Sequence, residues 1–170
     1  MHNLANKITI LRVLLIPVFL ICAYRGFNLI SLSIYVIACI SDFLDGYIAR
    51  KYNQTSTFGK FMDPLADKAL TLAAMCYLIE KGSMSGWIVA AVLFREFAVS
   101  GLRMLAAEKQ RVIQADISGK VKTFCTMICL GLMLLMPEKS LLCKICSGII
   151  LLTTVYSGIC YFYKNADILI

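Results

Sequence analysis

Six long apolar stretches dominate the chain, at residues 8–24, 29–49, 65–78, 87–107, 121–136 and 141–162. A helix must run for about 20 residues to cross about 30 Å of hydrocarbon, so each stretch reads as a membrane span. The third and fifth reach that length only by taking in polar neighbours at 61–64 and 117–120, so their ends are expected to face something wetter than lipid. The chain is 60% hydrophobic and 16% charged over 170 residues. A soluble domain of this size could not hide so much apolar surface, and lipid is the implied solvent for part of it.

Backbone groups in hydrocarbon must satisfy one another, and strand signals are absent. The expected fold is therefore an all-α integral membrane protein of six transmembrane helices. Connections at 25–28, 81–86 and 137–140 are short, and those at 51–58 and 108–116 are longer and more polar. No linker, low-complexity tract or repeat divides the chain, so residues 1–170 are read as one domain. The first stretch lacks a small-x-small cleavage site before Gly26 and is read as a retained helix rather than a secretory signal. Residues 3–7 ahead of it suit a short N-terminal interfacial helix.

Net charge is +7, and its distribution orients the bundle. With six spans, twelve of the 17 Lys and Arg residues lie on the side shared by the termini. Arg25, Lys81, Lys139 and Lys144 lie opposite, and Arg95 falls within the fourth span. The positive-inside rule then places both termini in the cytoplasm. Such a basic face attracts anionic lipid headgroups; lipid, not nucleic acid, is its expected partner.

Four of the ten acidic residues fall between positions 42 and 67. Asp42 and Asp45 are three apart and Asp63 and Asp67 four apart, so each pair shares a helix face. If both segments are helical up to the loop between them, rise per residue puts Asp45 and Asp63 about 6–7 Å below it. Asp42 and Asp67 then lie about 12 Å below. The four carboxylates form a rough square between antiparallel helices. Like charges so close need compensation, and an all-oxygen set without His or Cys favours Mg²⁺ or Mn²⁺, with Ca²⁺ a competitor. A square of this size suits two ions about 3.5–4 Å apart, the clamp used in phosphoryl displacement. The competing reading is a solvated helix end whose acids pair with Arg50, Lys51, Lys60 and Lys68. Intramembrane acids are functional by default, and Gly46, Ala49 and Gly59 clear side-chain bulk where a flat group could approach. A cation transporter would place its acids near the midplane in repeated halves, and this chain shows neither feature.

Asp42-x-x-Asp45-Gly46-x-x-Ala49-Arg50, eight residues, then Gly59-x-x-x-Asp63-x-x-x-Asp67 resembles the signature of the CDP-alcohol phosphatidyltransferases, and every fixed position matches. The resemblance implies a six-helix, usually homodimeric membrane enzyme with a cytoplasm-facing site. There an alcohol hydroxyl attacks the lipid-bearing phosphate of a CDP-linked lipid and releases CMP. It also implies that Asp42, Asp45, Asp63 and Asp67 hold the metals, with Asp67 as base for the acceptor. Gly46, Ala49, Arg50 and Gly59 would surround the cytidine diphosphate. The chain's single histidine, His2, gives no means of activating a serine or cysteine, so direct in-line displacement is preferred to a covalent route.

The acceptor is addressed by the fourth and fifth spans. Arg95-Glu96 lies within the fourth, Arg103 two turns on, and Gly119-Lys120-Val121-Lys122-Thr123 opens the fifth. Cations inside a bundle should face a cavity or partners, and arginine binds phosphate in bidentate fashion. The alternatives are pairing with Glu96 or the aspartates, and lipid-headgroup contact by the lysines. These segments look like those of the branch of the family, in bacteria, that makes phosphatidylglycerol phosphate; so do residues 3–12 and 157–164. The expectation is transfer of phosphatidyl from CDP-diacylglycerol to sn-glycerol 3-phosphate in the bacterial cytoplasmic (inner) membrane, with Arg95, Arg103 and Lys120 on the acceptor phosphate. Serine, inositol phosphate or phosphatidylglycerol as acceptor is the alternative within the family.

Cys22, Cys39, Cys76, Cys125 and Cys129 lie inside apolar stretches, where free cysteine behaves as a small hydrophobe. Cys143 and Cys146 form a lone CxxC, read as structural because a zinc site would need two further ligands.

Overall fold

The computed structural model describes the backbone of residues 4–51, 57–111, 113 and 116–168, and the side chains of 10–41, 65–111, 113 and 116–167. Six α-helices follow one another: α1 (Leu4–Tyr24), α2 (Asn28–Lys51), α3 (Thr57–Glu80), α4 (Gly86–Glu108), α5 (Ile117–Leu135) and α6 (Leu141–Lys164), then a 3₁₀ turn at Ala166–Ile168. No strand occurs among the described residues. Each apolar stretch lies within one helix, except that the fifth runs one residue past α5, to Met136. The third and fifth gain length from their polar neighbours, since α3 takes in 61–64 and α5 takes in 117–120.

One boundary differs from expectation. Residues 4–7 are the first turn of α1, not a separate interfacial helix. No Gly or Pro separates them from the apolar run, and Ala5 is a strong helix former.

Local chemistry sets the other ends. Past α1, the Phe27 N–H donates to the Cys22 carbonyl and the Gly26 N–H to the Ala23 carbonyl, both at 3.0 Å. This paired closure needs a left-handed residue, and Gly26 supplies it at φ +78°. Met136 is extended because Pro137 follows it and disfavours helical backbone at the preceding residue. The Ser140 hydroxyl then accepts the Cys143 N–H at 3.3 Å and opens α6. Cys143 and Cys146 are buried. The Cys143 thiol lies 3.8 Å from the Pro137 carbonyl and 3.1 Å from the Ser140 hydroxyl, so it packs the start of α6.

Helices α5 and α6 are each long and apolar enough to cross a membrane. Large apolar side chains also stand outside: Trp87, Phe94, Phe97, Phe124 and Leu152 are all exposed. Water would penalise that surface and lipid does not, so the chain reads as an all-helical membrane protein.

The helices form two compact units, residues 1–81 and 82–170. In the first, α1 packs on both α2 and α3. Its core holds Phe19, Tyr35, Ala38, Leu70, Ala74 and Leu78, with the Phe19 and Tyr35 rings 6.0 Å apart. In the second, α6 packs on α5 and α4, and Val99, Leu102, Ala106 and Tyr161 form a cluster joined by Ile113 and Phe162.

Candidate functional site

The acidic residues fall on two helices of the first unit, Asp42 and Asp45 on α2, Asp63 and Asp67 on α3. The buried residues Ser31, Tyr35 and Ala38 mark the inward stripe of α2, and in the sequence positions 42 and 45 follow at the same three- and four-residue spacing. On α3, Leu70, Ala74 and Leu78 are buried, and the same spacing runs back to Asp67. Asp67 is half-buried, and its backbone carbonyl accepts the Thr71 hydroxyl at 3.1 Å. The side chains of Asp42, Asp45, Gly46, Ala49, Arg50, Gly59 and Asp63 lie outside the described residues.

The second unit carries a cationic group around one carboxylate. The Glu96 Oε1 atom accepts from Arg95 Nη1 at 3.0 Å and from Lys122 Nζ at 2.8 Å. Lys122 is buried, with 5% of its surface exposed. Arg95 reaches this position because two glycines leave room for it. A Cβ at Gly119 would stand 3.4 Å from Arg95 Nη2, and one at Gly158 only 3.3 Å from Arg95 Cγ. The Arg95 Nε atom is buried with no hydrogen-bond partner, a donor left over in a low-dielectric setting.

Arg103 is exposed. Its Nε donates to the Tyr161 hydroxyl at 2.9 Å, and the guanidinium lies 5.7 Å from that ring's centre. Lys120 is exposed as well. Two residues along a helix is more than half a turn, so Lys120 and Lys122 leave α5 in opposed directions. Of the cations expected to act together, the structure joins Arg95 to Lys122 through Glu96 and leaves Lys120 outside that group. The sequence did carry the signal for Lys122, which shares a spacing with the buried Thr126, Cys129 and Met133. Lys120 falls off that stripe.

Beside this group, the connection from α4 to α5 is tied to the end of α6. Arg111 pairs with Asp167 at 2.5 Å and Lys164 with Asp116 at 2.6 Å. Asp116 also caps α5 through the Ser118 N–H and hydroxyl. The Lys164 ammonium, followed by Ser118, holds the Asp116 carboxyl at about 2, below its ordinary 3.8. A depressed carboxyl contributes stability above its ordinary value and loses that contribution as the pH falls through the depressed one. The wild-type protein is therefore expected to lose melting temperature between pH 3.8 and about 2, and Asp116→Asn to lose less over the same window. Parallel melting curves for the two proteins would refute the assignment.

Comparison with known proteins places the chain among relatives. The sequence profile of the CDP-alcohol phosphatidyltransferases matches residues 2–159. A Bacillus subtilis (strain 168) protein named CDP-diacylglycerol--glycerol-3-phosphate 3-phosphatidyltransferase is 36% identical, over 99% of this chain and 98% of the relative. A Rickettsia felis protein of the same name is 36% identical over 94% and 93%. A Mycobacterium tuberculosis (strain H37Rv) protein named probable phosphatidylglycerophosphate synthase is 39% identical over 78% and 66%.

Proposed function

The chain belongs to the CDP-alcohol phosphatidyltransferase family, and on that footing we propose that it transfers the phosphatidyl group of CDP-diacylglycerol to sn-glycerol 3-phosphate. The products are phosphatidylglycerol phosphate and CMP. The observation that carries this reading is the end-to-end similarity to relatives named for that reaction. Buried Lys122 and half-buried Arg95 of the second unit support an acceptor that carries a phosphate of its own.

The acceptor hydroxyl oxygen forms a bond to the phosphorus of the lipid-bearing phosphate, and the bond from that phosphorus to the CMP oxygen breaks. CMP leaves with the electron pair, and the hydroxyl proton passes to Asp67. A general base must lie within hydrogen-bond reach of that proton, and a half-buried carboxylate on the inward stripe of α3 suits the task. Gly46, Ala49 and Gly59 leave room for the cytidine diphosphate, and Arg50 offers it a planar cation. Arg95 holds the acceptor phosphate, with Arg103 and a lysine of α5. Lys120 is the lysine expected from sequence, and burial beside Arg95 favours Lys122.

The donor set fits two divalent ions: four carboxylates on two helices of one unit, with no softer ligand among the signature residues. Asp42, Asp45, Asp63 and Asp67 would hold Mg²⁺ or Mn²⁺, which supplies positive charge to the phosphoryl oxygens. All six helices span the bacterial cytoplasmic membrane in this reading. Both termini and the site face the cytoplasm, and the protein works as a homodimer.

An acceptor panel tests the proposal. Purified protein, CDP-diacylglycerol and Mg²⁺ are incubated with glycerol 3-phosphate, serine, inositol phosphate or phosphatidylglycerol, and CMP is measured. Release is expected with glycerol 3-phosphate; release that ignores it in favour of another alcohol would move the chain elsewhere within the family.

A further inference from the structure

Arg12 is among the largest fully buried side chains of the molecule, with only 1% of its surface exposed. It shares a face of α1 with the buried Phe19 and Ala23, in the unit where α1 packs on α2 and α3. Its Nε donates to the Ser41 hydroxyl at 3.4 Å, and that hydroxyl donates to the Ala38 carbonyl at 2.8 Å. Lysine can relieve burial by losing its proton, but a guanidinium keeps its charge at any working pH. Burying such a charge in an apolar bundle is costly unless negative groups offset it.

Ser41 marks where the apolar sequence of α2 gives way to acid. It directly precedes Asp42 in the chain and lies one helical turn before Asp45. Four carboxylates repel one another most when no cation lies among them. A fixed cation at this level relieves that repulsion, and the relief matters most before metal arrives.

Building on the activity proposed above, we propose that Arg12 is a positioning residue. Its buried guanidinium supplies the fixed positive charge that keeps the acidic set of Asp42, Asp45, Asp63 and Asp67 in place before a divalent ion binds. Arg12 touches no reacting atom in this role.

The test compares wild type, Arg12→Gln and Arg12→Lys by thermal unfolding in detergent, each with chelator and with Mn²⁺. Metal-free Arg12→Gln is expected to melt below wild type, and Mn²⁺ to raise its melting temperature by more than it raises that of wild type. Arg12→Lys keeps the charge and is expected to behave as wild type does. CMP release at saturating Mn²⁺ should fall by about tenfold or more in Arg12→Gln, because a misplacement of about 1 Å can cost about 10²-fold. An equal drop in melting temperature with and without Mn²⁺ means Arg12 only fills space, and overturns the proposal. Should Arg12→Gln fail to fold, adding Asp42→Asn or Asp45→Asn is expected to restore folding, and failure of both double variants overturns it too. Wild type with neither a Mn²⁺ response nor CMP release defeats the proposed activity and Arg12's role with it. Wild type with both, beside a variant that lacks the enlarged metal response, defeats Arg12's role alone.

Discussion

Replacing Asp67 with asparagine is expected to lower CMP release by at least about 10³-fold at saturating Mg²⁺. Loss of a positioned general base alone costs about 10²–10⁴-fold, and asparagine would also remove charge from the proposed metal-binding set. The substitution keeps size and shape. The Thr71 hydroxyl bonds the Asp67 backbone carbonyl rather than its carboxylate, so that local bond survives. Activity should therefore collapse for want of the carboxylate, and Asp67→Glu should recover part of the rate. A variant that keeps activity within tenfold of wild type would send the search for the base elsewhere.

Lys122→Met is expected to raise KM for glycerol 3-phosphate by about one to two decades and to leave KM for CDP-diacylglycerol within about twofold. A hydrogen bond to a charged group contributes about 1.5–3 kcal/mol, and each 1.4 kcal/mol is about tenfold in affinity. Lys122 is buried and shares the Glu96 carboxylate with Arg95. Methionine fills similar space, and Glu96 keeps Arg95 as a partner. Lys120→Met is the informative control. Lys120 is exposed, and its loss should shift either KM by less than about threefold, as removal of a screened surface charge does. The reverse ranking of the two lysines would return the acceptor phosphate to the position expected from sequence. Initial rates at varied glycerol 3-phosphate decide the matter.

Those two lysines show what the sequence could and could not convey. Six helices were legible because apolar length is a local property, and the third and fifth could be extended into polar residues because hydrocarbon thickness sets a minimum. The separate N-terminal helix failed for an equally local reason, since nothing between Leu4 and the apolar run breaks the backbone. The aspartates stood out by spacing, and Asp67 lies on a half-buried stripe; the side chains of the other three fall outside the described residues. The cations were harder. Composition marks Lys120 and Lys122 alike, and only the phase of the buried stripe on α5 tells them apart. The partnership of Arg95 with Gly119 and Gly158 joins three helices. No single segment contains it, so it could not be read from any one of them. Burial of Arg12 was hidden in the same way, because its company comes from α2.

The carboxylate oxygen shared by Arg95 and Lys122 gives the second unit a resident anion of its own. In the proposed reading an incoming phosphate would not meet naked charges there; it would displace or join an incumbent. Binding at such a place is an exchange, in which part of what the newcomer gains was already held by Glu96. The cations would stay ordered between turnovers, and a phosphorylated product would not be gripped so tightly that its departure became slow. A resident counter-ion thus trades ultimate affinity for readiness, a compromise suited to a catalyst that must let go of what it makes.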